Sequence, residues 1–455
     1  MPVEKNANYT ALNFSSFTGG MNTAMPPEQI AENEAQYIEN YEYDFNRLRT
    51  RGGLSAPVIT INNDVISSFY YDRATDSYLI FGAAGEEATA KIYHADVNSV
   101  KEIGSLTGKK RPVCCKFGGE IFIASGEKLQ VYDYETLTTI ESSYLCDNVL
   151  ERFGRVITTH QGDDNLYYSS VGDAKSDEAW TDDSDDDSSA KFTEVGYKDD
   201  GDIIACKALA SDLLVFKSNG RIYAVSGEYP NWTISQVGEN SNADSTQKSI
   251  ENVGSSVVFM TQDGLKSIET VQTYGNFGVG EIGYKINNDL SKKVHTPLCW
   301  NLISKRQLVI SPYSGERSKL FVYQYNMDAG YILTFPVDIV DMAETANGVM
   351  VAAGNSLYRW SFDENTDNGE KIKTRLITRK LTSPYKFYTR RYDVNISGEK
   401  DGAVLITCGK KSWVHPLNRP KELKHLYDTR PDLQLDITSD DEHIITSIVL
   451  YTLST

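Results

Sequence analysis

The chain has 455 residues, 40% of them hydrophobic and 24% charged, the composition of a folded protein long enough for two or three domains. Its formal net charge of −18, from 63 acidic and 45 basic residues, argues against wrapping nucleic acid, which needs clustered Lys and Arg. No run of about 18 apolar residues marks a membrane span, and residues 1–18 lack the basic start and apolar run of a signal peptide, so the chain is expected to stay where it is made.

Residues 1–53 form an arm unlike the rest of the chain. Positions 11–17 read as extended, and Gly19-Gly20 breaks them. Pro26-Pro27-Glu28 then predicts a short helix ending near Asn40, because Pro and an acidic residue suit a first helical turn. Ile30, Glu34 and Ile38, or Ala31, Ala35 and Ile38, would share its face.

From Leu54 the pattern changes to short apolar or alternating runs bounded by Gly, Asn, Asp and Ser, recurring about every 40 residues. Seven hairpins can be read. Their paired runs are 78–81 with 91–93, 120–125 with 129–134, 155–158 with 165–168, and 212–217 with 220–225. The series continues with 256–261 and 264–268, 307–311 and 319–323, then 348–353 and 356–360. Small sheets that cannot bury their own faces predict an all-β fold, a β-propeller over residues 54–366. The blade number is seven, or six if one unit is an insertion; two packed sandwiches are the competing architecture. Tyrosine, 28 against 16 Phe, suits such half-buried pleated surfaces and also subunit interfaces.

Two stretches interrupt the repeat. Asp182, Asp183, Asp185, Asp186 and Asp187 lie among serines and read as a solvated loop, since the Gly and distal Glu of a calcium-binding loop are missing. Residues 370–455 carry longer strands and predict a separate β-sandwich-like domain. Within it, residues 371–430 hold fifteen basic and five acidic groups, a net +10, leaving −28 for the rest. That segment reads either as a solvated face or as a surface for an acidic neighbour or DNA.

Chemistry is hard to find. The six Cys fall at no metal-ligand spacing and read as free thiols in a reducing compartment. None of the six His lies at the spacing of a zinc protease, and no nucleophile elbow or phosphate-cradling glycine loop is present. The expectation is a structural protein, not an enzyme, with no cofactor and no metal.

Two ordered sets of residues resemble a known family. The first is Phe14, Phe17, Gly20 and Asn22, then Asn33-Glu34-Ala35, then Leu48-Arg49 and Arg51-Gly52-Gly53. The second runs from Trp180 through Phe192, 213–217, 222–227 and Trp232 to Gly264-Leu265. Together they resemble the nozzle, or tail-stabilisation, proteins of short-tailed bacteriophages. The likeness covers about residues 14–265 and continues more weakly to Trp360; the C-terminal segment has no firm counterpart.

The resemblance implies a virion tail protein assembled in the host cytoplasm, a ring of six copies below the portal and adaptor. Such a ring retains DNA and guides it out, and an acidic lumen would repel and centre the duplex. It also implies that the arm clamps a neighbouring subunit, the head-to-tail adaptor or another tail protein, through Phe14, Phe17, Asn22, Arg49 and Arg51. The alternatives are a receptor- or glycan-binding tail protein, with exposed aromatics near Trp413, and a propeller glycosidase.

Overall fold

Each of the seven hairpins supplies the second and third strands of an antiparallel unit, five of them as four-stranded sheets and two within larger sheets, in the computed structural model. It describes residues 9–62, 64–85, 88–182, 187–227, 230–239, 246–271, 276–419 and 421–454. The second strands, such as Glu120–Ala124, Asp212–Lys217 and Gln307–Ser311, are buried almost throughout. A central strand covered on both faces has no solvent side, so its sequence is a continuous apolar run. Fourth strands such as Val100–Ser105 and Thr233–Glu239 lie at the rim and are largely exposed.

Blades 1 to 7 open on the strands Val65–Asp72, Val113–Phe117, Asn148–Arg152, Ile203–Leu209, Ile250–Val253, Leu298–Leu302 and Asp341–Thr345. These first strands lie side by side around one axis, and the seventh returns to the first. Hydrophobic clusters fill the gaps between blades. Phe81, Ile121 and Tyr132 join blades 1 and 2, whereas Phe216 and Phe259 join blades 4 and 5 with ring centroids 5.2 Å apart. The fold is therefore an all-β propeller of seven blades. Blade 7 has three strands from its own stretch. Its fourth is supplied from the other end of the sequence: Gly53–Leu54 and Ile59–Thr60 pair antiparallel with Ser356–Ser361. Strand donation of this kind closes the ring, because opening it requires breaking a ladder as well as an apolar seam.

Residues beyond the propeller form the expected sandwich, but not from the C-terminal segment alone. One sheet runs Tyr41–Asp44, Arg47–Thr50, His443–Ser454, Leu381–Gly398, Lys421–Leu433, with Thr10–Ser15 also paired to His443–Ser454. The other runs Glu34–Glu39, Thr374–Thr378, Leu435–Ser439, Ala403–Cys408, Lys411–Pro416. Val394, Ile396, Ile406, Ile437, Ile448 and Leu450 lie buried in its core. Through Glu39 opposite Ile332, this second sheet continues blade 6 into a single ten-stranded sheet.

The arm is thus part of the sandwich, and the helix expected in it is not there. Pro26 to Gln29 closes one turn, the Gln29 N–H donating to the Pro26 carbonyl at 2.8 Å, and Glu34–Glu39 is a strand. Edge pairing overrides the local helical signal: the strand lies between Thr374–Thr378 and Gly20–Met21, and at Glu39 it meets the outer strand of blade 6. The Gly19-Gly20 break has a steric cause. Gly20 has φ +77°, and a Cβ there would sit 2.6 Å from the backbone nitrogen of Gly330. A seven-residue helix, Tyr284–Leu290, pins this crossing, with Lys285 donating to the Gly19 carbonyl at 3.0 Å and pairing with Glu34 at 3.3 Å.

His443 ties arm to sandwich and gives the fold an acid limit. Its Nδ1 lies 2.7 Å from the Asp441 carbonyl and its Nε2 2.8 Å from the Tyr41 hydroxyl. A neutral ring with the proton on Nδ1 satisfies both. Burial lowers the imidazole pKa from 6.5 to about 4, against the smaller pull of the Asp441 carbonyl and its carboxylate. The unfolded chain therefore binds this proton first. Stability is full above pH 6.5 and falls as the pH drops towards 4, by on the order of 3 kcal/mol. Urea unfolding between pH 7 and 4 is expected to show that slope, and His443→Gln to flatten it.

Candidate functional site

The first strands converge at one end of the propeller axis around a cavity of about 940 Å³. Its wall is made by the beginnings of those strands: Val65 and Ile66, Val113, Asn148, Ile204 and Leu298 come from different blades. The loops entering blades 2 and 5, with the second hairpin turn of blade 6, add the charge. Lys109, Lys110, Arg111, Lys248 and Arg317 line the cavity with His295, against the single carboxylate of Asp147 among the described lining residues. Among the described residues no ring of Phe, Tyr or Trp lines it.

Two of these cations are already engaged. Lys110 pairs with Asp147 at 2.8 Å, and Arg111 reaches past blade 1 to Asp341 at 3.0 Å and to the Val340 carbonyl at 2.9 Å. Asp341 is a hub. It accepts from Ser68 Oγ at 2.7 Å and the Phe69 N–H at 3.0 Å in blade 1, and from Trp300 Nε1 at 2.8 Å in blade 6. Burial raises its pKa, but Arg111, Lys248 and those hydrogen bonds outweigh that and hold it at about 2.

Arg317 is different. Its hydrogen bonds go to neutral oxygens, Ser311 Oγ at 3.3 Å and the Thr296 carbonyl at 3.4 Å. Burial and then repulsion from Arg111 depress its guanidinium to about 10, only partly offset by Asp338 and Asp341. Lys248, half-buried in the short helix before blade 5, has no hydrogen bond or ion pair among the described residues.

This cavity lies within one chain, is too small for a duplex, whose major groove alone is about 12 Å wide, and is distinct from the acidic lumen expected of a ring of copies. Sequence reasoning passed over the site because its cations are far apart in the chain; the one local signal was the consecutive Lys109-Lys110-Arg111.

The residues expected at a partner contact do not converge. Phe14 and Phe17 are buried in the large core, Phe14 opposite Ile448 on the neighbouring strand. Asn22 is buried with its amide on Glu34 at 2.7 Å, its oxygen capping Ala24 and Met25. Arg51 is buried and donates all five of its N–H groups: to Asn40, Gly52, Thr334, and Asp367 twice, at 2.6 to 3.0 Å. Beside it, Lys305 pairs with Glu42 at 3.0 Å and sits 3.5 Å from the Trp360 ring centroid. Only Arg49 is half-exposed, paired with Glu442 at 2.7 Å. These five residues hold the arm to its own chain.

Trp413, named as a glycan-facing aromatic, packs on Tyr392 with ring centroids 4.7 Å apart. Asp183, Asp185 and Asp186 lie outside the described residues. No cluster of three or more His, Cys, Asp or Glu able to hold a metal occurs among the described residues. No described helix is long and apolar enough to cross a membrane.

No protein-family model and no curated protein matches the chain. Solved structures similar to it include BamB from Moraxella catarrhalis, at 10% identity over 71% of this chain and 96% of that one, TM-score 0.43. YCF48 from Cyanidioschyzon merolae matches at 6% identity over 66% and 96%, TM-score 0.43. The computationally designed Ika8 protein matches at 10% identity over 67% and 99%, TM-score 0.40. The propeller assignment rests on the sheets themselves.

Proposed function

We propose that this protein is a structural component of a bacteriophage tail, forming a ring that retains DNA and guides it during ejection. The observation that carries this reading is the ten-stranded sheet running from blade 6 into the sandwich. It joins propeller, arm and C-terminal segment through one continuous sheet, and such a body builds a wall by repeating one interface around an axis. The arm and central motifs resembling tail nozzle proteins point the same way, as does the net charge of −18, which repels a passing duplex. On this reading DNA travels along the axis of the ring and not through the propeller of one subunit. Six copies, contact with a head-to-tail adaptor and a place in the virion belong to the same proposal.

Because Phe14, Phe17 and Arg51 face inward, the arm contacts a neighbour through what remains outside. Phe45 is the arm's exposed phenylalanine, 87% accessible at the turn between Tyr41–Asp44 and Arg47–Thr50, with φ +55°. Beside it, Tyr41–Asp44 is the last strand of its sheet, with Tyr43 and Asp44 partly exposed. Native mass spectrometry of the purified chain is expected to show a closed oligomer that Phe45→Asp shifts towards monomer, with circular dichroism unchanged. A wild-type chain that stays monomeric both alone and with its adaptor counts against the ring.

A further inference from the structure

We propose that the axial cavity binds a small anion carrying two or more phosphate groups. This goes beyond the tail reading and stands or falls separately from it. Its volume of about 940 Å³ is that of a ligand pocket, and its wall is preformed by the first strands of several blades. Five cations line it against one described carboxylate, a sharp local reversal in a protein of net charge −18.

The reversal is only partly cancelled from within, by Asp147, Asp341 and Asp338. Arg111 and Lys110 have carboxylate partners, but Arg317 bonds only neutral oxygens and Lys248 has no ion pair among the described residues. A half-buried guanidinium held next to another guanidinium is an arrangement that an anion between them relieves. The guanidinium fork matches adjacent phosphate oxygens, and Lys248 adds a point charge from the loop entering blade 5. The expected ligand is a polyphosphate, whose closely spaced charges match the cations of the wall.

The test is titration calorimetry of the full chain with sodium tripolyphosphate in about 150 mM salt, where surface charge pairs are largely screened. Saturable binding with Kd below about 1 mM is expected. Arg317→Gln and Lys248→Gln should each weaken it on the order of tenfold, and the exposed Lys400→Gln should leave it unchanged. Should Arg317→Gln fail to fold, Lys248→Gln decides alone, because that side chain makes no hydrogen bond or ion pair among the described residues and acts on Asp341 only through the field of its charge. Absence of saturable binding, or equal binding by the Lys248 variant, overturns the site. Citrate binding as tightly as tripolyphosphate overturns the phosphate class.

Discussion

Arg51→Met is expected to lose about 3–5 kcal/mol of stability, the largest effect of any single substitution in the arm. The side chain is fully buried, and Asp367 opposite it is 4% exposed. Removing the guanidinium leaves that carboxylate uncompensated, along with the Thr334 and Gly52 carbonyls it serves. It also removes the cation from the face of Phe335, 4.1 Å away. The loss is structural as well as energetic, because Arg51 joins the arm, the outer strand of blade 6 and the Thr366–Asp367 turn beyond blade 7. Urea unfolding should show the loss, and proteolysis should cut the arm faster than the blades. Arg51→Lys keeps the charge but not the fork and should lie between. Arg51→Met with Asp367→Leu should recover part of the loss. An Arg51→Met chain within about 1 kcal/mol of wild type would refute the role assigned to the pair.

Asp341→Asn should cost on the order of 3 kcal/mol by stranding Arg111 at the meeting point of blades 6, 7, 1 and 2. Its pH dependence distinguishes it. A carboxyl held at about 2 in the fold and near 3.8 when unfolded contributes stability above pH 4 that disappears as the pH falls through 2. That contribution is about 2 kcal/mol in the wild type and absent in Asp341→Asn. The window lies below that of His443, so an acid titration should separate the two in sequence.

The seven hairpins were legible because each blade buries its second and third strands on both faces, leaving apolar runs no rim residue dilutes. The fourth strands were not, since Thr233–Glu239 and Val100–Ser105 are mostly exposed and carry little pattern. In the arm, the 3.6-residue spacing of Ile30, Glu34 and Ile38 suggested a helix. All three are buried, but Ile30 lies in the turn and the other two in a strand. The other face offered, Ala31, Ala35 and Ile38, holds an exposed Ala31, and the partner that imposes extended geometry, Thr374–Thr378, lies over 300 residues away. The same distance hid the function of Arg51, whose Asp367 no local window could supply. At the axial cavity, Arg111 and Arg317 act on each other only because the propeller closes, bringing the loop before blade 2 towards blade 6.

Cryo-electron microscopy of the particles assembled in cells that express this chain from its own genome tests the proposed tail role most directly. The account predicts density for the seven-bladed body with its fused sandwich, repeated around the tail axis with the DNA path at the ring's centre. Particles that lack the chain, or that hold it as isolated copies away from the axis, would contradict it.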